Sequence, residues 1–119
     1  MANLQYAKAK GREAENAVVE FLRARGYRGA ERRRLSGDAD KGDIAGIVDF
    51  AIEVKNEKRI SLADYVFQAR REAANAGAKF GVAWVKRRGK ADPGDWYVVM
   101  DGHTFVRLMR EWHDSHTPF

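Results

Sequence analysis

Apolar residues recur at helical spacing over residues 12–25, where Ala14, Ala17, Val18, Phe21 and Leu22 fall on one arc. Gly26 follows as a helix-ending residue. Residues 27–35 read as a strand crowded with arginine, and Ser36–Gly42 (SGDADKG) reads as a turn. Two strands follow over 43–49 and 50–56, with Ile44, Val48, Phe50, Ile52 and Val54 as their β-branched and aromatic content. Ser61 with Asp64 three residues on makes a capping-box variant that opens a helix over 62–76, closed by Gly77. Residues 79–87 (KFGVAWVKR) form a largely apolar strand, and the turn KADPGD leads to its partner over 95–101. A last helix over 104–113 carries Phe105, Val106, Leu108, Met109 and Trp112. The predicted order is α-β-β-β-α-β-β-α, an α/β fold with a central mixed sheet flanked by helices. No repeat or linker divides it, so residues 1–119 read as one domain.

At 119 residues the chain is long enough to build a core without staples. It has no cysteine, which excludes a disulfide framework, a thiolate nucleophile and a thiolate-held zinc or iron–sulfur site. No apolar stretch approaches the roughly 20 residues that span a bilayer. The opening MANLQYAKAKGREAE lacks the apolar run of a secretory signal, so a cytoplasmic setting without membrane contact is expected. Lys and Arg number 22 against 17 Asp and Glu, a net charge of +5 that permits a polyanionic partner without specifying one. The excess is clustered. Arg23, Arg25, Arg28, Arg32, Arg33 and Arg34 lie close together, and Lys86, Arg87, Arg88 and Lys90 form a second knot. Arginine's planar fork suits phosphate oxygens, although a solvated face would look the same.

The acidic residues are more informative. Glu53 and Lys55 are two apart on one strand, so both leave the same face, while Ile52 and Val54 point the other way. Asp43 begins the neighbouring strand, and antiparallel pairing would bring it near Glu53. Two converging carboxylates make a hard-oxygen site suited to Mg²⁺ or Mn²⁺. A lysine beside them can orient water or stabilise charge on a phosphate. An ordinary salt bridge is the plainer use of E-x-K. Glu15 is the one carboxylate inside the apolar arc of the first helix, between Val19 and Leu22, with Glu13, Asn16, Glu20 and Arg23 on the opposite arc. A charge there needs a metal or an arginine partner. Gln68 flanks the stripe of Leu62, Tyr65, Val66, Ala69, Ala73 and Ala76 and could reach the E-x-K segment. Phe67, Ala63 and Ala74 make a second, minor stripe, suited to a subunit contact or to packing under a loop. Trp84, Trp96 and Trp112 fit core or sheet-packing roles, and His103, His113 and His116 fit the surface or helix ends.

An acid in the first helix, then Asp and E-x-K on two strands, then a helix with Gln, resembles the PD-(D/E)xK nuclease superfamily and its restriction-endonuclease-like core. More narrowly, K-G-x-x-x-E (Lys10, Gly11, Glu15), the Arg-rich strand, the Ser-Gly turn, D-I-A (Asp43–Ala45) and I-E-V-K (Ile52–Lys55) are similar to archaeal and phage Holliday-junction resolvases. Gly42 stands where the superfamily often has Pro, and the short gap from Asp43 to Glu53 implies a tight hairpin.

The resemblance implies a Mg²⁺-dependent endonuclease cutting phosphodiester bonds in branched DNA by attack of activated water, with Mn²⁺ substituting, acting in recombination or repair. Flap, mismatch or linear-duplex cleavage, or DNA binding without catalysis, are the alternatives. It implies Asp43, Glu53 and the Val54 carbonyl as metal ligands, Glu15 supporting the metal, and Lys55 and Gln68 completing the catalytic set. Lys10, Arg12, Arg28, Arg32, Arg33, Arg34, Ser36, Lys86, Arg87 and Arg88 would hold DNA. A homodimer is expected, because a four-way junction takes two symmetric cuts. The implied setting is the cytoplasm of a bacterial, archaeal or phage-infected cell.

Overall fold

The computed structural model describes residues 4–34 and 40–116. Helix α1 spans Leu4–Ala24, α2 spans Leu62–Ala76 and α3 spans Gly102–His116. The strands are β1 (Glu31–Arg32), β2 (Ile44–Ala45), β3 (Phe50–Lys55), β4 (Phe80–Val85) and β5 (Tyr97–Val99), with a 3₁₀ turn at Pro93–Asp95. The predicted element order is the observed one. The five strands form one mixed sheet in sequence order. β1, β2 and β3 are antiparallel, β3 and β4 are parallel across the α2 crossover, and β5 returns antiparallel to β4. No helix among the described residues is long and apolar enough to cross a membrane.

The two faces of β3 receive different helices. Ile52 and Val54 join Val82 and Trp84 under Ala14, Val18, Val19 and Leu22 of α1. On the other face Tyr65 of α2 packs on Ala83 and Val85. β3 and β4 are therefore buried on both sides, as a parallel pair requires. α2 approaches β4 so closely that a Cβ on Gly81 would stand 2.2 Å from the Ala69 carbonyl oxygen. This contact fixes the height of α2 above Glu53.

Several boundaries differ from the sequence reading. α1 begins two turns before residue 12, because Leu4–Lys8 are helix formers with an exposed surface and leave no apolar period to read. The first two strands shrink to two residues each. Their hairpin is as tight as expected, with four residues between β2 and β3 and Asp49 at φ +68°. Ser61 forms no side-chain cap, and its hydroxyl donates instead to the Asp64 carboxylate at 2.7 Å. Trp84 and Trp96 are buried as expected, but Trp112 is 57% exposed. α3 turns Thr104 and Leu108 inward, so Phe105, Met109 and Trp112 stay on its outer side. Trp112 stacks on His116 at 4.3 Å, within its own helix.

Candidate active site

Strand alternation places Glu53 and Lys55 toward α2, and the packing of α2 on Gly81 brings Gln68 over them. Lys55 Nζ donates to Gln68 Oε1 at 2.8 Å and lies 3.3 Å from Glu53 Oε1. Gln68 Nε2 donates to Glu53 Oε1 and to Glu72 Oε2, both at 3.1 Å. One amide thus fixes a base and two acids. Tyr65 braces the same cluster: its ring stands 5.4 Å from Lys55 Nζ, and its hydroxyl donates to Glu57 Oε1 at 2.6 Å. Burial and the nearby Glu57 push the Tyr65 hydroxyl up to about 12.

Asp43 stands just before β2. Its amide donates to the Ile52 carbonyl at 2.8 Å, and its Oδ2 accepts from the Val54 amide at 2.7 Å. A strand residue's N–H and C=O leave the same edge, so the Val54 carbonyl faces the Asp43 side as well. Gly42 enters this position at φ +100°, which a proline ring cannot take.

The electrostatics are those of crowded, buried acids. Burial first, then Glu53 and Glu15, raise the Asp43 carboxyl from 3.8 to about 8, against the lowering pull of the Val54 amide. Burial and the nearby Glu72 raise Glu53 from 4.5 to about 8, against the pull of Lys55. Burial also raises Glu72 to about 7. Glu53 is 5% exposed and Glu72 0%, and each has one carboxylate oxygen, Glu53 Oε2 and Glu72 Oε1, buried without a hydrogen-bond partner. These orphaned hard oxygens fit a Mg²⁺ or Mn²⁺ ion, which takes oxygen ligands and would offset the repulsion.

Glu15 sits on the expected face, close enough to act on Asp43, but its Oε1 is held by Arg32 Nε at 2.9 Å. Arginine is thus one partner of this carboxylate. Among the described residues, the acids that converge to within 4.8 Å of one another are Asp40, Glu53 and Glu72 rather than a set containing Glu15 and Asp43. Glu72 was missed in the sequence. The signal was present: it lies four residues after Gln68 and three after Ala69, inside the apolar stripe of α2, as Glu15 lies inside that of α1.

The basic residues divide into two groups. Lys10, Lys58, Lys86 and Arg88 surround a cavity of about 690 Å³ beyond the end of β3, with Tyr6 and Ile60 in its wall. The Lys86 amide donates to the Lys55 carbonyl at 2.8 Å, which ties this basic loop to the acidic cluster. Arg87 leans over the Tyr97 ring at 5.5 Å, and Arg12 is exposed on α1. Arg28 lies past the far end of α1, which continues about 13 Å beyond Glu15, so it stands apart from the cluster. Arg32 is engaged with Glu15, Arg33 is half-buried with its amide on the Asp43 carbonyl, and Arg34 is exposed. Ser36 lies outside the described residues. Comparison with protein-family models, with curated proteins and with solved structures finds no match for this chain.

Proposed function

We propose that the chain is a divalent-metal-dependent endonuclease of the PD-(D/E)xK kind, cutting phosphodiester bonds in branched DNA. The observation that carries this reading is the convergence of Glu53 and Lys55 from β3 and Gln68 from α2, with Asp43, just before β2, close enough to act on Glu53. An ordinary salt bridge between Glu53 and Lys55 would leave no reason to bury a second and third acid beside it. Asp43, Glu53 and the Val54 carbonyl would hold the ion, with Glu15 and Arg32 as its surroundings. Mg²⁺ in that position supplies Lewis acidity, making a water more acidic and withdrawing charge from the phosphoryl oxygens.

The chain's own residues do the rest. Lys55, held in place by Gln68, orients the attacking water and sets a positive charge beside the phosphate. Gln68 bonds to both, which holds the Glu53–Lys55 pair in place at 3.3 Å. Water oxygen attacks phosphorus and gives up a proton to solvent, one P–O ester bond breaks, and the departing oxygen takes a proton back from solvent. Lys10, Lys58, Lys86 and Arg88 line a groove that would follow a phosphate backbone leading to this point, giving salt-dependent binding with little base reading. A homodimer through the outer face of α2 fits two symmetric cuts: Phe67 is 69% exposed there, between exposed Ala63 and Ala74.

Cleavage of a four-way junction, a flap and a linear duplex with Mg²⁺, compared side by side, tests the reading. Paired symmetric nicks in the junction support it. Preference for the flap or linear duplex would keep the nuclease and replace the substrate, and tight binding without turnover on any DNA would leave only a binding module.

A further inference from the structure

Glu72 has no part in the catalysis just described, yet no charged side chain is more deeply buried among the described residues. It projects from α2 one turn beyond Gln68, which donates to its Oε2, while its Oε1 has no partner. Glu53, whose Oε2 is also without a partner, is one of the acids that meet Glu72 here. Asp40 closes the third side. One oxygen each from Asp40, Glu53 and Glu72 lie within 4.8 Å of one another. Two ligands of one cation at about 2.4 Å stand no farther apart than about 4.8 Å, so all three oxygens can reach a single ion.

Asp40 itself is held in place. Asp40 Oδ1 accepts from the Gly42 amide at 2.9 Å, and its carbonyl accepts from Asn75 Nδ2 at 2.8 Å. Asn75 is on α2, so the helix that carries Glu72 also fixes the loop that faces it. Three carboxylates meet here, and among the described residues the cation paired with them is Lys55, on Glu53 Oε1. Asp40 is exposed, which leaves a path from solvent.

We infer that Asp40, Glu53 and Glu72 form a second divalent-cation site, sharing Glu53 with the Asp43 site and opening on the Asp40 side. The class of ion is a hard one: Mg²⁺, Mn²⁺ or Ca²⁺. The site follows from the side chains and does not depend on the nuclease reading.

Mn²⁺ titration of the full-length chain, followed by the paramagnetic resonance signal of the free ion, tests it. Wild type, Glu72→Gln, Asp40→Asn and Asp43→Asn are compared, with circular dichroism to confirm folding. Two ions are expected in wild type. Glu72→Gln and Asp40→Asn should each lose one ion or weaken it at least tenfold, and Asp43→Asn should keep the Glu72-dependent ion. Should Glu72→Gln fail to fold, Asp40→Asn on the exposed loop gives the same reading. Wild-type stoichiometry and affinity in both variants, or no binding by wild type, would overturn the inference. An ion lost in Asp43→Asn and kept in Glu72→Gln would leave the nuclease reading standing and remove this site. The reverse pattern would keep this site and remove the Asp43 ligand.

Discussion

Glu53→Gln should make the metal-free protein more stable, and increasingly so as pH rises. Glu53 is 5% exposed, and burial with Glu72 alongside lifts its carboxyl from 4.5 to about 8. The unfolded chain releases this proton near 4.5, whereas the folded chain keeps it to about 8. Between those values the native state holds one more proton than the unfolded state. Stability therefore falls with rising pH by about 1.4 kcal/mol per unit from this group. From pH 5 to pH 8 the fall is on the order of 4 kcal/mol. Gln has no proton to lose and keeps a hydrogen-bonding head for Gln68 and Glu72. Loss of the contact with Lys55 offsets part of the gain and leaves a pH-dependent advantage of roughly 2–4 kcal/mol. Urea unfolding of both proteins in excess EDTA, at unit steps of pH, measures it. A difference that stays flat with pH, or wild type gaining on the variant as pH rises, would refute the reasoning: Glu53 would then be an ordinary carboxylate already matched by Lys55.

Three further outcomes follow from particular contacts. Lys55→Met keeps the stem but removes the charge held by Gln68 at 2.8 Å, so single-turnover cleavage should drop about 10²- to 10⁴-fold while junction affinity stays near wild type. Gly81→Ala would put a methyl 2.2 Å from the Ala69 carbonyl oxygen and push α2 off the sheet; thermal unfolding should register a loss of about 2–3 kcal/mol. Trp112→Ser should change stability by less than about 0.5 kcal/mol, because the ring is 57% exposed; a loss of several kcal/mol would restore it to the core.

The fold was legible where apolar period and local chemistry agreed. α2 was placed at both ends because the stripe from Leu62 to Ala76 stops at Gly77, which takes a left-handed cap. β4 was visible because a strand buried on both faces is apolar throughout, and β3 because Ile52 and Val54 alternate with Glu53 and Lys55. The first turns of α1 were not, because exposed helix formers carry no period, and α3 was misjudged in its packing because its apolar arc is not the arc that meets the sheet. Within the site, strand parity alone placed Glu53 with Lys55, and hairpin pairing placed Asp43. The Arg32–Glu15 pair needed the spatial course of the Arg-rich segment, which no spacing supplies. Glu72 is hard to see for a different reason: following Arg70 and Arg71 it reads as a surface charge, although its place between Ala69 and Ala73 buries it completely. Asp40 joins it through a loop held by Asn75, a contact 35 residues apart in the chain.

The central claim is that buried carboxylates held against Lys55 and Gln68 make a metal-dependent phosphodiester hydrolase. It is tested most directly by incubating a four-way junction with wild type and with Glu53→Gln, with Mg²⁺ or with EDTA, and mapping the cuts. Wild type with Mg²⁺ should nick opposing strands in symmetric pairs. EDTA should abolish the nicks, and Glu53→Gln should be inactive although it is the more stable protein at pH 8. Absence of Mg²⁺-dependent cleavage by folded wild type, on the junction and on flap and linear DNA alike, or undiminished cleavage by Glu53→Gln, would contradict the account.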